Sequence, residues 1–273
     1  MGTLVKKDGL LAGKVAVVTG ASRGIGAAIA YRYAQEGASI VVSARTVREG
    51  DHFLPGSINS VVDWINNAGG QAYGVKADLS SAEDRKNLIQ QAYSVYGSVD
   101  ILVNNAAVTY FAPVREFTQK HFELMMNVQV YGAFHLCQLV LPAMIESQSG
   151  RILNISSHAA LHPQVDSGSG SSTVYGMCKA TLERFTTGLA SDLYSENIGV
   201  NAISPGLVAT PGVKFHKLIN EKNENNVTPI EHIAEASLRL VHGNAQEMTG
   251  RITYAAEILA EFSLQPVQLI GST

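Results

Sequence analysis

Cysteine is nearly missing from this chain. Only Cys137 and Cys178 occur in 273 residues, far apart and without His or Cys neighbours at metal-ligand spacing. That excludes a disulfide scaffold, makes a metal site unexpected, and fits a reducing cytoplasm. Charge is scarce too, at 16% of residues, and the formal net charge of −3 comes with no dense basic run. A nucleic acid or an anionic membrane therefore has nothing to bind by charge, and the expected partner is a small molecule. No uninterrupted apolar stretch reaches spanning length, and residues 1–13, despite Lys6 and Lys7, hold no apolar core of signal-peptide length. What is plentiful is apolar material, 46% of the chain, enough for one large core, so a single domain over 1–273 is expected.

Val15-Ala-Val-Val18 is a short apolar run of the kind buried on both faces of a parallel sheet. After Thr19, Gly20, Gly24 and Gly26 stand in a Gly-x-x-x-Gly-x-Gly spacing, followed by Ala27, Ala28, Ile29, Ala30 and Tyr33 at helical intervals. Strand, glycine turn and helix let bare backbone approach a pyrophosphate, which the free N–H groups and partial positive charge of the helix start attract. Alone, such a turn equally suits an ordinary strand-to-helix connection.

A second buried strand, Ser39 to Ser43, ends in Ala44-Arg45-Thr46. At this end a carboxylate would hold an adenosine 2′-hydroxyl, whereas an Arg accepts a 2′-phosphate. Ala44 takes the carboxylate position, with Arg45 next to it and Arg23 in the glycine turn, which favours NADP over NAD. The loop from Thr46 to Gly56 reads as a surface insertion without a legible function. Ile58, Val61, Val62 and Ile65 give one apolar helix face. Gln71 to Lys76 is a third strand, and Asp78-Leu79 at its end is placed to bond an adenine amino group. Ser80 with Glu83 reads as a capping box for the next helix, leaving Asp78 free for a ligand.

Strand four, from Asp100, ends in Asn104, expected to knit strand ends together, and Asn105. A long helix from Thr118 to Leu141 contains Asn127, a poor helix former that either faces solvent or marks a kink whose freed carbonyl binds something. Strand five, from Gly150, ends in Ser156-Ser157, and the Gly/Ser stretch 167–172 beyond it reads as flexible. Tyr175 and Lys179 are four apart on one helix face, so their polar tips can converge. Strand six, Gly199 to Ile203, leads into Ser204-Pro205-Gly206. The stretch 207–228 has no periodicity and reads as a lid. Pro229 then opens a helix to Val241, and Arg251 to Tyr254 is a short last strand. Strands separated by helices six times over mean an α/β doubly wound parallel sheet with helices on both faces, a Rossmann fold, with ligand at the carboxyl ends of the strands.

Through Thr19–Gly26 (Thr-Gly-Ala-Ser-Arg-Gly-Ile-Gly), Asn104–Ala107 (Asn-Asn-Ala-Ala), Asn154–Ser157 (Asn-Ile-Ser-Ser), Tyr175-x-x-x-Lys179 and Ser204-Pro-Gly206, in that order, the chain resembles the NADP type of the short-chain dehydrogenase/reductase family. The resemblance covers about residues 14–210 and more loosely reaches 254. It implies an NADP(H)-dependent oxidoreductase interconverting a ketone and a secondary alcohol by hydride transfer. Its implied catalytic tetrad is Asn127, Ser157, Tyr175 and Lys179: Tyr175 as general acid/base, Lys179 stabilising the phenolate, Ser157 holding the substrate oxygen, Asn127 keeping a water behind Lys179. The implied cofactor contacts are Gly20, Ser22, Arg23, Gly24, Ile25, Gly26, Arg45, Asp78, Leu79, Asn105, Ala106, Tyr175, Lys179, Pro205, Gly206, Val208 and Thr210. No metal is implied, and assembly is expected as a dimer or tetramer of identical subunits.

Three departures stand out. Ala107 replaces the family's glycine, Ser157 and Tyr175 are further apart than usual, and after Tyr254 the tail reads as an extra short helix. The alternatives are an NAD-linked secondary alcohol dehydrogenase and a non-catalytic dinucleotide-sensing protein. The mostly apolar or flexible walls 107–113, 158–173 and 207–228 suit an uncharged, fairly hydrophobic ketone, steroid-like or cyclic, or a fatty-acyl ketoester. His158 and His162 are expected to be solvated rather than catalytic.

Overall fold

A run of small apolar residues has no wet face to offer, and β1 (Val15–Thr19) is buried at every position. Parallel strands pair with it on both sides, β2 (Ser39–Ala44) and β4 (Ile101–Asn104). The computed structural model describes residues 5–165 and 171–269. Within them, β3 (Gln71–Lys76), β5 (Gly150–Ile155), β6 (Ile198–Ser204) and β7 (Ile252–Tyr254) complete a seven-stranded parallel sheet in the order β3-β2-β1-β4-β5-β6-β7. This is the expected doubly wound sheet, and its strand order reverses direction between β1 and β4.

Successive side chains of each strand point to opposite faces, so one sheet feeds two core layers. Ala16, Val18, Ile40 and Val42 pack with α1 (Gly24–Gln35), α2 (Ile58–Asn67), α8 (Ile230–Val241) and α9 (Ala255–Glu261). Val17, Val41, Leu102 and Val200 pack with α3 (Ala82–Tyr96), α5 (Gly132–Glu146) and α6 (Thr173–Asp192). A buried Arg32 on α1 donates to Glu36 at 2.6 Å and to Glu235 on α8 at 2.7 Å, locking those two helices in register. Losing Arg32 would take away the guanidinium that both buried carboxylates share, at a cost of about 3–5 kcal/mol.

Four segments depart from the sequence reading or refine it. The cap of α3 is Ser81, whose hydroxyl accepts the Asp84 N–H, not Ser80 with Glu83. Ser80 instead donates both its N–H and its hydroxyl to Asp78 Oδ1, so Asp78 is not left free. The long helix is α4 (Gln119–Met126) and α5 joined by a π turn, Asn127–Tyr131. By length and composition the run Gln119–Glu146 could cross a membrane, yet Met125, Leu136, Val140 and Met144 are wholly buried among the domain's own residues. The stretch 207–228 contains α7 (Pro211–Phe215) and is pinched at its base, where Thr228 N–H donates to Leu207 O at 2.8 Å. The tail helix exists as α9. Most of the stretch 167–172 lies outside the described residues.

Candidate active site

The carboxyl ends of the strands open into one cleft of about 750 Å³, running from Arg45 past the glycine turn to Tyr175 and on to α7. Gly20, at φ +64°, and Gly26 shape its floor. A Cβ on Gly20 would lie 2.8 Å from Ala106 Cα, and one on Gly26 only 2.5 Å from Asn105 Nδ2 and Gly20 O. The glycines thus let the turn press against the end of β4. There Asn105 Nδ2 donates to Thr19 O at 2.8 Å and Gly20 O at 3.1 Å. Asn104 knits strands as expected, donating to Asn154 Oδ1 on β5 at 2.9 Å. No side chain caps α1, so the N–H groups at its start are open to an anion, and this bare cradle fits a dinucleotide pyrophosphate.

At the β2 end the two arginines behave differently. Arg23 turns away to the insertion, donating to Pro55 O (2.7 Å), Gly56 O (2.6 Å), Leu54 O and Thr46 Oγ1. Arg45 is exposed and lines the cleft, and among the described residues it has no hydrogen-bonded partner. The sequence reading put both cations at one phosphate; the structure leaves Arg45 available and spends Arg23 on organising the loop. Burial alone would raise the Asp78 carboxyl, but the two Ser80 bonds and nearby Arg45 hold it below its usual value. The insertion also brings His52 and Phe53 to the cleft, which nothing in the sequence signalled. Phe53 meets Phe215 of α7 with ring centroids 4.8 Å apart, a contact across the cleft between loops far apart in sequence.

At the other end, β5 and the first turns of α6 bring Ser157, Tyr175 and Lys179 together. The Lys179 ammonium is buried, donates to Ile155 O at 2.8 Å, and lies 5.6 Å from the centre of the Tyr175 ring. Burial pushes this lysine down to about 8. Burial raises the Tyr175 phenol, and a hydrogen bond with the Ser157 hydroxyl pulls it back part of the way. Ser157 Oγ also accepts the Ala159 N–H at 3.2 Å, which fixes its rotamer. Ser156 is structural, donating to Glu183 at 2.6 Å. Asn127 is exposed and does not line the cleft, and its carbonyl accepts the Gly132 N–H across the π turn. The other residues the sequence named, from Gly20 and Ser22 to Val208 and Thr210, do line it, with Thr210 Cγ2 about 3.2 Å from where a Gly24 Cβ would sit. His158 reaches Tyr254 at 3.4 Å, and neither His158 nor His162 borders the cleft. Phe111 stands edge-on to Tyr175 at 6.0 Å and to His216 at 5.5 Å, forming the apolar wall beside the phenol.

A glycine cradle and an ammonium-phenol-hydroxyl cluster at the switch point of a parallel sheet define a dinucleotide-dependent oxidoreductase. The family model described as short chain dehydrogenase matches residues 14–219, and the chain belongs to that family, the short-chain dehydrogenases/reductases. A 7α-hydroxysteroid dehydrogenase of Escherichia coli K12 is 36% identical over 251 residues, covering 89% of this chain and 92% of the relative. A solved 7α-hydroxysteroid dehydrogenase complexed with NADH and 7-oxo glycochenodeoxycholic acid superposes with a TM-score of 0.78 at 34% identity, over 91% of this chain and 95% of that one. A gluconate 5-dehydrogenase homologue from Beutenbergia cavernae, solved with NADP, gives a TM-score of 0.79 at 29% identity, over 95% and 100% of the two chains.

Proposed function

We propose that the protein is an NADP(H)-dependent reductase of an uncharged, hydrophobic ketone, working reversibly on the matching secondary alcohol. The observation that carries the reading is the convergence of Ser157, Tyr175 and Lys179 on one point of a cleft long enough for a dinucleotide. The cradle of Gly20, Ser22, Gly24, Ile25 and Gly26 would hold the pyrophosphate, Asp78 and Leu79 the adenine side, Asn105 and Ala106 the ribose side, and Pro205, Gly206, Val208 and Thr210 the carboxamide. Arg45, without a carboxylate at position 44, would take the 2′-phosphate. Bound there, the dinucleotide supplies the hydride.

Carbonyl reduction leaves negative charge on oxygen, and a proton donor within hydrogen-bond reach removes it. Tyr175 gives that proton. Its burial keeps the phenol protonated at neutral pH, the state a reductase needs. Lys179, its ammonium held against Ile155 O, lowers the cost of the phenolate that remains, and each pKa unit is worth about 1.4 kcal/mol. Ser157 donates to the substrate oxygen and aims it at the phenol. Phe111 gives the phenol an apolar wall, which suits a steroid-like or cyclic ketone, or a fatty-acyl ketoester.

The 7α-hydroxysteroid dehydrogenase among the relatives supports a steroid-sized substrate. One catalytic domain over 1–273, a lid at 207–228, a tail from 255 that alters subunit contacts or the pocket floor, a cytoplasmic location and assembly as a dimer or tetramer belong to the same reading. An NAD-linked alcohol dehydrogenase is the second reading, favoured by the neighbour solved with NADH. A panel of ketones and secondary alcohols, oxo- and hydroxysteroids included, assayed with both cofactors decides. Turnover with NADPH at a kcat/KM well above that with NADH is expected. Turnover with NADH alone selects the second reading, and none across the panel revives a dinucleotide sensor.

A further inference from the structure

One carboxylate near the phenol end takes no part in the chemistry. Glu183 of α6 is half-buried, and among the described residues no cation pairs with it. Lys179, four residues before it on the same helix, is at ion-pair spacing, yet its ammonium goes to Ile155 O instead. Glu183 accepts from the Ser156 hydroxyl at 2.6 Å, and Ser156 is itself buried. A carboxylate withdrawn from water is costly unless it is hydrogen-bonded, so this bond is what holds it there.

Gly176, Lys179 and Glu183 follow one another at intervals of three and four residues, which puts them on one stripe of α6. Each meets the chain at the end of β5. A Cβ on Gly176 would lie 2.6 Å from Ala159 O, so the bare glycine lets the first turn of the helix come this close. Lys179 Nζ donates to Ile155 O at 2.8 Å, and Glu183 holds the Ser156 hydroxyl. The contacts fall on residues 155, 156 and 159, and Ser157 stands between them without making any of the three. Its hydroxyl is therefore aimed by contacts that its neighbours make with the helix carrying Tyr175.

We propose that Glu183 is a positioning residue: by holding Ser156 it sets the end of β5 against α6 and so fixes the Ser157 hydroxyl at the Tyr175 phenol. Of the three contacts it is the one that can be removed without touching a group of the catalytic set or its immediate neighbour. The strand survives its loss, because the Ser156 N–H donates to Ile203 O of β6 at 2.8 Å. What the side-chain bond adds is placement relative to α6, and a misplacement of about 1 Å at a reacting point can cost about 10²-fold in rate. Around Glu183 stands Tyr254 from β7, itself near Glu257 and His158. Around the phenol stand Lys179 and Cys178 from its own helix. This inference rests on the roles given to Ser157 and Tyr175 above.

The test follows alcohol oxidation with NADP by the full chain and by Glu183→Leu, Glu183→Gln and Ser156→Ala. In Glu183→Leu and in Ser156→Ala, kcat is expected to fall by about tenfold with KM for the dinucleotide unchanged. The Ser157 bond lowers the phenol, so losing it raises the phenol, and oxidation needs the phenolate. The low-pH limb of kcat is therefore expected to move up by about half to one pH unit in both variants. Loss of a negative charge alone would move it down. Glu183→Gln, which keeps an oxygen for Ser156, is expected to hold the wild-type limb and recover most of kcat. Limbs that stay or move down in Glu183→Leu and Ser156→Ala overturn the positioning role, whatever happens to kcat, and so does a loss in Glu183→Gln as large as in Glu183→Leu. If the wild type turns over nothing, the proposed function falls and crystal structures decide the rest: a Ser157 hydroxyl drawn away from Tyr175 in Ser156→Ala upholds the role, and an unmoved one overturns it.

Discussion

The two ends of the cleft are built on different physical terms. At the phenol end every polar group is fixed by sheet or helix: Lys179 by Ile155 O, Ser157 by its N-cap bond, Asn105 by β1. At the mouth, the walls are the insertion 46–56 and the stretch 207–228, held by a few side-chain bonds and an exposed aromatic pair. Rigid chemistry and adjustable enclosure are thereby separated: changes at the first end should act on rate, changes at the second on ligand exchange and choice.

The sharpest way to break that contrast is Tyr175→Phe. It removes only a hydroxyl from a packed ring, so kcat is expected to fall by about 10³-fold while NADPH binding, measured by fluorescence titration, stays at the wild-type value. A loss shared equally by binding would mean that the phenol end is not rigid in the way its contacts imply.

Lys179→Met probes the cost of that rigidity. The wild-type lysine is pushed down to about 8 from an ordinary 10.5. Below about 8 its charge is carried by both the folded and the unfolded chain, and the folded one bears a burial penalty. Between about 8 and 10.5 the unfolded chain keeps the proton that the fold has released, so stability of the ligand-free protein rises with pH across that window. The variant is expected to lose this part of the pH dependence, to be more stable at pH 7 by about 1–3 kcal/mol in urea melts, and to be inactive. A variant that melts below the wild type at pH 7 would show the buried ammonium to be a net stabiliser.

Next in size comes Arg45→Ala at the mouth. One hydrogen bond to a charged group is worth about 1.5–3 kcal/mol, so kcat/KM for NADPH should fall by about 10- to 100-fold with that for NADH unchanged. Arg23→Ala, by contrast, should weaken both cofactors together, because its donors hold the loop at Leu54, Pro55 and Gly56.

The same contrast explains what the sequence made legible. Regular elements announce themselves by period and punctuation: Val15 to Val18, the helix face of Ile58 to Ile65 and the Tyr175–Lys179 pair needed no tertiary information. The capping of α3 was misplaced by one residue because Ser80 and Ser81 are both competent caps, and only the packing of Asp84 against Asp78 N–H at 2.8 Å settles which one acts. From sequence alone Arg23 faces a phosphate, because no local rule shows that an insertion about 30 residues later offers three carbonyls. Gln129, buried in the π turn, went unnoticed for a related reason. A polar residue in an apolar helix reads as solvent-facing until a π turn rotates it inward; the signal was there in Asn127 two residues before it, whose poor helix propensity marked the irregularity.

The smallest expected effect tests the mouth itself. Phe53 and Phe215 are both largely exposed, at 70% and 54%, yet their rings touch, which an isolated surface phenylalanine has no reason to do. The insertion is anchored to the glycine turn through Arg23, and Thr210, which caps α7, borders the cleft near Gly24 of the same turn. The aromatic pair therefore closes a ring of contacts around the dinucleotide cleft. A tilted pair of this kind is worth about 0.5–1.5 kcal/mol, and its exposure puts it at the lower end. Phe53→Ala should thus raise the NADPH dissociation rate by about two- to fivefold in stopped-flow displacement, leaving the single-turnover hydride-transfer rate unchanged. Phe215→Ala should match it, and the double variant should add nothing further, because either change alone already opens the ring. Additive effects would mean that each ring touches the ligand separately and that the two loops do not act as one closure.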